Sequence, residues 1–131
     1  MSIKNRVINK DLHVLKIDRP LSGACAEELE QKFADAHSFG VKNIVVDLAD
    51  VAYIDSRGLA ALVAGYKMFG SDMQHFRLAA PQDQPKLLFE LTMFERIFKI
   101  FDTVTDAVGV IPVQQRLVSR GVPAFVSAPA V

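Results

Sequence analysis

The chain has 131 residues, half of them hydrophobic and 23% charged, a composition that fits one globular domain with a core of its own. Lysine plus arginine balance aspartate plus glutamate, 15 against 15, so there is no net positive field for nucleic acid or an anionic membrane. No apolar run reaches the ~18 residues of a membrane span, and the N-terminus lacks the apolar segment of a signal peptide.

The N-terminal third predicts two strands and a helix. Residues 3–8 and 12–18 alternate in polarity around a turn at Asn9-Lys10-Asp11, which is typical of an antiparallel hairpin. Pro20 and Gly23 interrupt the chain, and a helix ends near Gly40. Its apolar face has helical spacing: Ala26, Leu29, Phe33 and Ala36.

The centre of the chain predicts a buried strand followed by a second helix. Residues 44–48 form a short, β-branched apolar run, as in a strand covered on both faces. From Leu59 the apolar spacing becomes helical. Ser56 stands where this helix begins, so its hydroxyl either caps the helix or offers a place for a phosphate. Gly58 in the first turn indicates a close backbone approach or tight packing on the sheet.

The C-terminal half continues the alternation of strands and helices. A strand over 76–80 is followed by a helix with Pro85 in its first turn and Leu87, Leu88 and Leu91 along it. A short strand over 98–101 and a brief helix over 103–108 follow. The order predicts an α/β fold, a small mixed and mostly parallel sheet with an N-terminal antiparallel hairpin and crossover helices packed mainly on one face.

The last twenty residues differ from the rest, so residues 1–111 are predicted to form the domain and residues 112–131 a C-terminal tail. Prolines and Gly121 prevent a long regular element in the tail. Its apolar residues, which include Val118, Val122 and Phe125, indicate packing on the domain or on a second copy, as in a homodimer.

The residues carry no signature of an enzyme, a metal site or a cofactor. Asp47, Asp50 and Asp55 lack the acidic pair and the lysine of a response regulator, and Asp47 is expected to anchor the loop that follows it. The three histidines have no metal-binding spacing and are expected to be surface or hydrogen-bonded residues: His13, His37 and His75. Cys25, the single cysteine, excludes an internal disulfide, fits a reducing cytoplasm and is expected to be a small buried residue.

The stretch Asp47-Leu48-x-x-Val51-x-x-Ile54-Asp55-Ser56-x-Gly58-Leu59 resembles the signature of the STAS domain, the fold of bacterial anti-sigma factor antagonists. The segment Leu91-Thr92-x-x-x-x-Ile97-Phe98 resembles the family's segment before the last strand. The likeness runs from Val7 to Val108. One departure is Arg57, because the family often has a small residue after the serine.

The resemblance implies a protein-binding switch with Ser56 as the phosphorylated residue. Asp55, Ser56, Arg57 and Gly58 would form the partner-binding site. The implied partners are a serine kinase that is also the anti-sigma factor and a serine phosphatase that reverses the modification. The alternative is a STAS subunit of a transport complex or a stress-sensing scaffold, in which Ser56 is not phosphorylated.

Overall fold

The structure is a computed structural model that describes residues 3–70 and 75–109. The predicted order of elements is confirmed. In chain order they are β1 (Ile3–Asn9), β2 (Leu12–Ile17), α1 (Gly23–Ser38), β3 (Asn43–Asp47), α2 (Ser56–Phe69), β4 (Phe76–Ala79), α3 (Asp83–Leu91), a 3-10 turn (Phe94–Arg96) and β5 (Lys99–Phe101). Residues 104–109 are also helical.

The five strands form one sheet in sequence order, β1-β2-β3-β4-β5. The first pair is antiparallel, with Ile3 opposite Ile17, and the other three pairs are parallel. Each new parallel strand is therefore added on the same side of its predecessor. Because crossover connections between parallel strands are right-handed, this order places the connecting helices on one face of the sheet.

The core confirms this one-sided packing. The larger of two apolar clusters joins one face of the sheet to the three helices, with members such as Leu15, Leu29, Val46, Leu62 and Phe89. The smaller cluster lies on the other face, where Ala107 packs with Leu12, Val14, Val45 and Ala79. The helical segment 104–109 thus covers part of the second face.

Aromatic side chains run through the larger cluster in a series of ring contacts. The ring centroids of Phe33 and Phe76 are 5.6 Å apart, and those of Phe76 and Phe98 are 6.0 Å apart. Phe98 also contacts Phe94 at 5.7 Å, which brings the series to the 3-10 turn. Aromatic pairs at these distances add to the energy of simple burial, so this turn is packed onto the core.

Two basic side chains of the sheet have buried nitrogen atoms without a hydrogen-bond partner among the described residues. His13 on β2 is half-buried, and within the described residues its Nδ1 has no hydrogen-bond partner. Arg77 on β4 is 1% exposed, and within the described residues its Nε and Nη1 have no partner. Burial lowers the pKa of Arg77 to about 10, since desolvation disfavours the charged form.

Three further sequence predictions concern Cys25, the apolar residues of α3 and the C-terminal tail. Cys25 is buried on α1, as expected. On α3 the buried residues are Pro85 and Phe89, whereas Leu87 and Leu91 are exposed. The predicted tail over residues 112–131 lies outside the described residues.

Candidate functional site

A loop of residues 48–55 leaves β3 at the carboxyl edge of the parallel strands and is fixed at both ends. At its start, Asp47 Oδ1 accepts a hydrogen bond from the Ala49 amide at 3.0 Å. The ammonium of Lys16 lies 3.4 Å from Asp47 and 3.2 Å from Asp50. The prediction that Asp47 anchors this loop is confirmed.

The end of the loop is held by groups that come from elsewhere in the chain. The Leu21 amide donates to the Tyr53 carbonyl at 2.9 Å, and the Asp55 amide donates to the Leu21 carbonyl at 3.3 Å. The side-chain amide of Gln84 on α3 bonds to both backbone groups of Ile54. It accepts from the Ile54 amide at 2.9 Å and donates to the Ile54 carbonyl at 3.1 Å. These contacts fix the backbone immediately before α2.

Asp55, and not Ser56, caps α2. The Asp55 carboxylate accepts from the Gly58 amide at 2.8 Å, and Asp55 has the extended backbone of an N-cap. The suggestion that Ser56 caps the helix is therefore wrong. Ser56 is the first residue of α2, it is exposed, and the described part of the chain provides no hydrogen bond to its hydroxyl. The hydroxyl is left available at the positive end of a helix dipole.

Gly58 is required by the backbone of Leu21. A Cβ at this position would lie 2.9 Å from the Leu21 carbonyl carbon and closer still to its oxygen. The close approach indicated by the sequence is thus made by the segment before α1. It brings the first turn of α2 against the same Leu21 peptide that holds Tyr53 and Asp55.

Arg57 forms a two-pronged ion pair with α1. Its Nη1 lies 2.8 Å from Glu30 Oε2, and its Nη2 lies 3.1 Å from Glu30 Oε1. The guanidinium lowers the pKa of Glu30, chiefly through these hydrogen bonds. Glu30 in turn raises the pKa of Arg57, with smaller contributions from Glu27 and Asp55. Glu30 is therefore part of the surroundings of Arg57, although the sequence did not indicate it.

An open groove of about 470 Å³ begins at Ser56 and follows the outer face of α2. Apolar side chains form most of its lining, including Leu59, Ala60 and Val63, with Phe94 of the 3-10 turn on the other side. Lys67 lies at the far end. The arrangement can bind a protein surface that is partly apolar, and it places Ser56 at the edge of that surface.

Residues 3–70 and 75–109 contain no cluster of acidic, histidine or cysteine side chains that could hold a metal ion. Among the helices of the same residues, none is both long enough and apolar enough to span a membrane.

Comparison with known proteins supplies the family. The model of the STAS domain matches residues 4–107, which is most of the chain. The chain belongs to the STAS domain family. A candidate anti-sigma factor antagonist from Thermotoga maritima is 35% identical to this STAS protein over 68 residues. That match covers 52% of the chain and 60% of the relative, so the chain spans less than two thirds of the relative's length.

Solved structures share the fold over most of the STAS protein. The crystal structure of a candidate anti-sigma factor antagonist from Thermotoga maritima has a TM-score of 0.77 and 26% identity, covering 84% of this chain and 94% of the other. The structure of the anti-sigma factor antagonist SpoIIAA in its unphosphorylated form has a TM-score of 0.73 over 84% and 96% of the two chains. At 14% identity the second likeness shows the fold alone.

Proposed function

We propose that this STAS protein is an anti-sigma factor antagonist, a binding module without enzymatic activity that is switched by phosphorylation of Ser56. The observation that carries the proposal is the free position of the Ser56 hydroxyl. It is exposed at the start of α2, inside the family motif, and Asp55 already performs the capping that would otherwise occupy it.

A phosphate on Ser56 would change the partner-binding site electrostatically. The free amides of the first turn and the helix dipole favour an anion there. The modification also adds a charge of about −1.5 to −2 next to the Asp55 carboxylate and the apolar groove. We infer that the unmodified protein binds an anti-sigma factor serine kinase through Asp55, Ser56, Arg57 and the groove, with the buried Gly58 shaping the turn beneath them. Phosphorylation then releases the kinase, and a serine phosphatase restores the first state, all in the cytoplasm.

The phosphorylation step is tested by incubating the protein with candidate kinases and ATP, followed by intact mass and phosphopeptide mapping. We expect one phosphate on Ser56, and none on the Ser56→Ala variant. Ser22→Ala is the control, because Ser22 is also a serine at a helix start, the N-cap residue of α1. A phosphate on Ser22 or Ser38 with Ser56 unmodified would overturn the proposal.

Calorimetric titration with the same kinase tests the switch. Ser56→Ala should bind like the unmodified protein, and Ser56→Asp should bind at least about tenfold more weakly, because like charges in an interface are costly. Both variants should unfold within about 0.5 kcal/mol of the natural chain, since Ser56 is not the cap. Equal affinities for all three proteins would remove Ser56 from the interface. An unmodified Ser56 in a protein that co-purifies with a permease would support the transport-complex alternative.

A further inference from the structure

Arg57, the residue that follows Ser56, is a cation on which three acids act. Glu30 holds it directly, while Glu27, one turn earlier on α1, and Asp55 act on it through space. The four groups together carry a charge of −2, from three acids and one cation. A phosphate on Ser56 would make the total charge more negative, about −3.5 to −4.

The ion pair between Arg57 and Glu30 is open to competition. The side chains are 41% and 36% exposed, so water screens their attraction. Both prongs of the guanidinium are used by the one carboxylate. A phosphate carries more charge than a carboxylate and has three acceptor oxygens. It would be attached to the residue next to Arg57.

We propose that phosphorylation of Ser56 transfers Arg57 from Glu30 to the phosphate, which opens the ion pair between α1 and α2 and leaves Glu30 without its partner. Neighbouring residues on a helix point in different directions. Arg57 must therefore change its side-chain conformation to reach the phosphate, and it cannot keep both contacts with Glu30 while doing so. The modification would thus alter two helices and not Ser56 alone.

The consequence is a specific change in the surface that a partner meets. Before modification, Glu30 and Arg57 neutralise each other beside the groove. Afterwards the same surface presents the phosphate, Asp55, Glu27 and Glu30 with one guanidinium among them. An acidic partner surface would be repelled by these acids, and an apolar one would have to desolvate them. This inference rests on the proposed modification of Ser56, but its test does not require the kinase.

The test uses full-length protein with phosphoserine inserted genetically at position 56, and follows the phosphate by ³¹P NMR as pH is varied. A nearby cation favours the dianion and lowers the second pKa of the phosphate. Arg57→Gln should therefore raise that pKa by about 0.3 to 0.7. Glu30→Gln should lower it, because the phosphate then no longer competes with the Glu30 carboxylate for Arg57. Glu27→Gln is the matched control, since it removes the same charge from the same helix without a hydrogen bond to Arg57, and it should have a smaller effect.

The double variant Glu30→Gln with Arg57→Gln decides how Glu30 acts. If Glu30 competes for Arg57, most of its effect disappears once Arg57 is absent. An undiminished effect in the double variant, or an unchanged pKa in Arg57→Gln, would overturn the transfer. Neither result would contradict the proposal that a kinase phosphorylates Ser56. Conversely, a kinase assay that leaves Ser56 unmodified would remove the proposed function without affecting this titration. All of the substituted side chains are at least one-third exposed or lie at a helix surface, and melting of each variant checks that it folds.

Discussion

Asp55 and Ser56 occupy adjacent positions but have different tasks. The carboxylate of Asp55 satisfies the Gly58 amide, so the helix needs nothing from the serine. A hydroxyl that also served as the cap would lose that role when phosphorylated, and the start of α2 would be destabilised by about 0.5–2 kcal/mol. With the cap on Asp55, a change at Ser56 can alter binding while the helix stays in place.

His13 should make stability depend on pH in the mildly acidic range. Burial lowers its pKa below the ordinary 6.5, because desolvation disfavours the imidazolium. The unfolded chain therefore binds more protons than the folded chain just below pH 6.5. Stability is fully retained above about pH 6.5 and falls as the pH is lowered through this value.

The measurement compares melting temperatures at pH 7.5 and pH 5.5. The melting temperature of His13→Gln should fall less from pH 7.5 to pH 5.5 than that of the natural chain, whatever the absolute stability of the variant. His37→Gln is the control, because His37 is an exposed residue in the last turn of α1. Equal falls in the natural chain and the His13 variant would mean that His13 does not titrate in this range.

Helix α3 acts as a support for the loop that carries the site. Gln84 makes two hydrogen bonds to the peptide of Ile54, and Gln82 donates to the Ala49 carbonyl at 2.7 Å. Both glutamines lie at the start of α3, about thirty residues later in the chain. The position of Ser56 therefore depends on the packing of α3 as well as on α2.

Gln84→Ala should loosen this loop. The loss of two partly buried hydrogen bonds should cost about 1–2 kcal/mol, with the Ile54 amide left unpaired. Denaturant unfolding measures the cost, and hydrogen exchange at the Ile54 amide should become faster. Gln31→Ala is the control, since Gln31 donates to Asp35 on the exposed side of α1 and is remote from the loop in the chain. Unchanged exchange at Ile54 would show that Gln84 does not hold the loop.

The elements were predictable because their patterns are local. The β-branched run before Leu48 and the helical spacing after Leu59 each lie within one segment, so the strand β3 and the helix α2 were expected where they occur. The partners of the site were not predictable. Glu30 reaches Arg57 across 27 residues and Gln84 reaches Ile54 across 30, and neither glutamate nor glutamine is unusual at a helix surface.

The choice of cap was also ambiguous from sequence alone. Asp and Ser are equally good N-cap residues, and a shift of one position decides which of them serves. The backbone hydrogen bonds of Leu21 to Tyr53 and Asp55 fix that position. These hydrogen bonds are tertiary contacts, which no periodic sequence pattern predicts.

Because the strands lie in sequence order, different parts of the chain pack on the two faces of the sheet. The right-handed crossovers bring α1, α2 and α3 to one face, and the second face depends on chain that follows β5. Ala107 is fully buried there, with Val104 and Val108 packed beside it. The segment 104–109 should therefore contribute to the stability of the domain although it follows the last strand.

Two shortened chains separate this segment from the tail. A chain that ends at Ile111 keeps the segment, and one that ends at Asp102 removes it and uncovers Leu12, Val14, Val45 and Ala79. Burial of two partly covered valines and an alanine contributes about 2–4 kcal/mol, so the shorter chain should unfold that much more easily and bind a hydrophobic dye. The chain ending at Ile111 is the control. It also tests the prediction that residues 112–131 pack on the domain or on a second copy, because it should then melt below the full chain or have a lower mass in light scattering. Equal stability of the two shortened chains would contradict the role of 104–109.

Identical melting temperature and mass for the full chain and the chain ending at Ile111 would mean that residues 112–131 pack neither on the domain nor on a second copy.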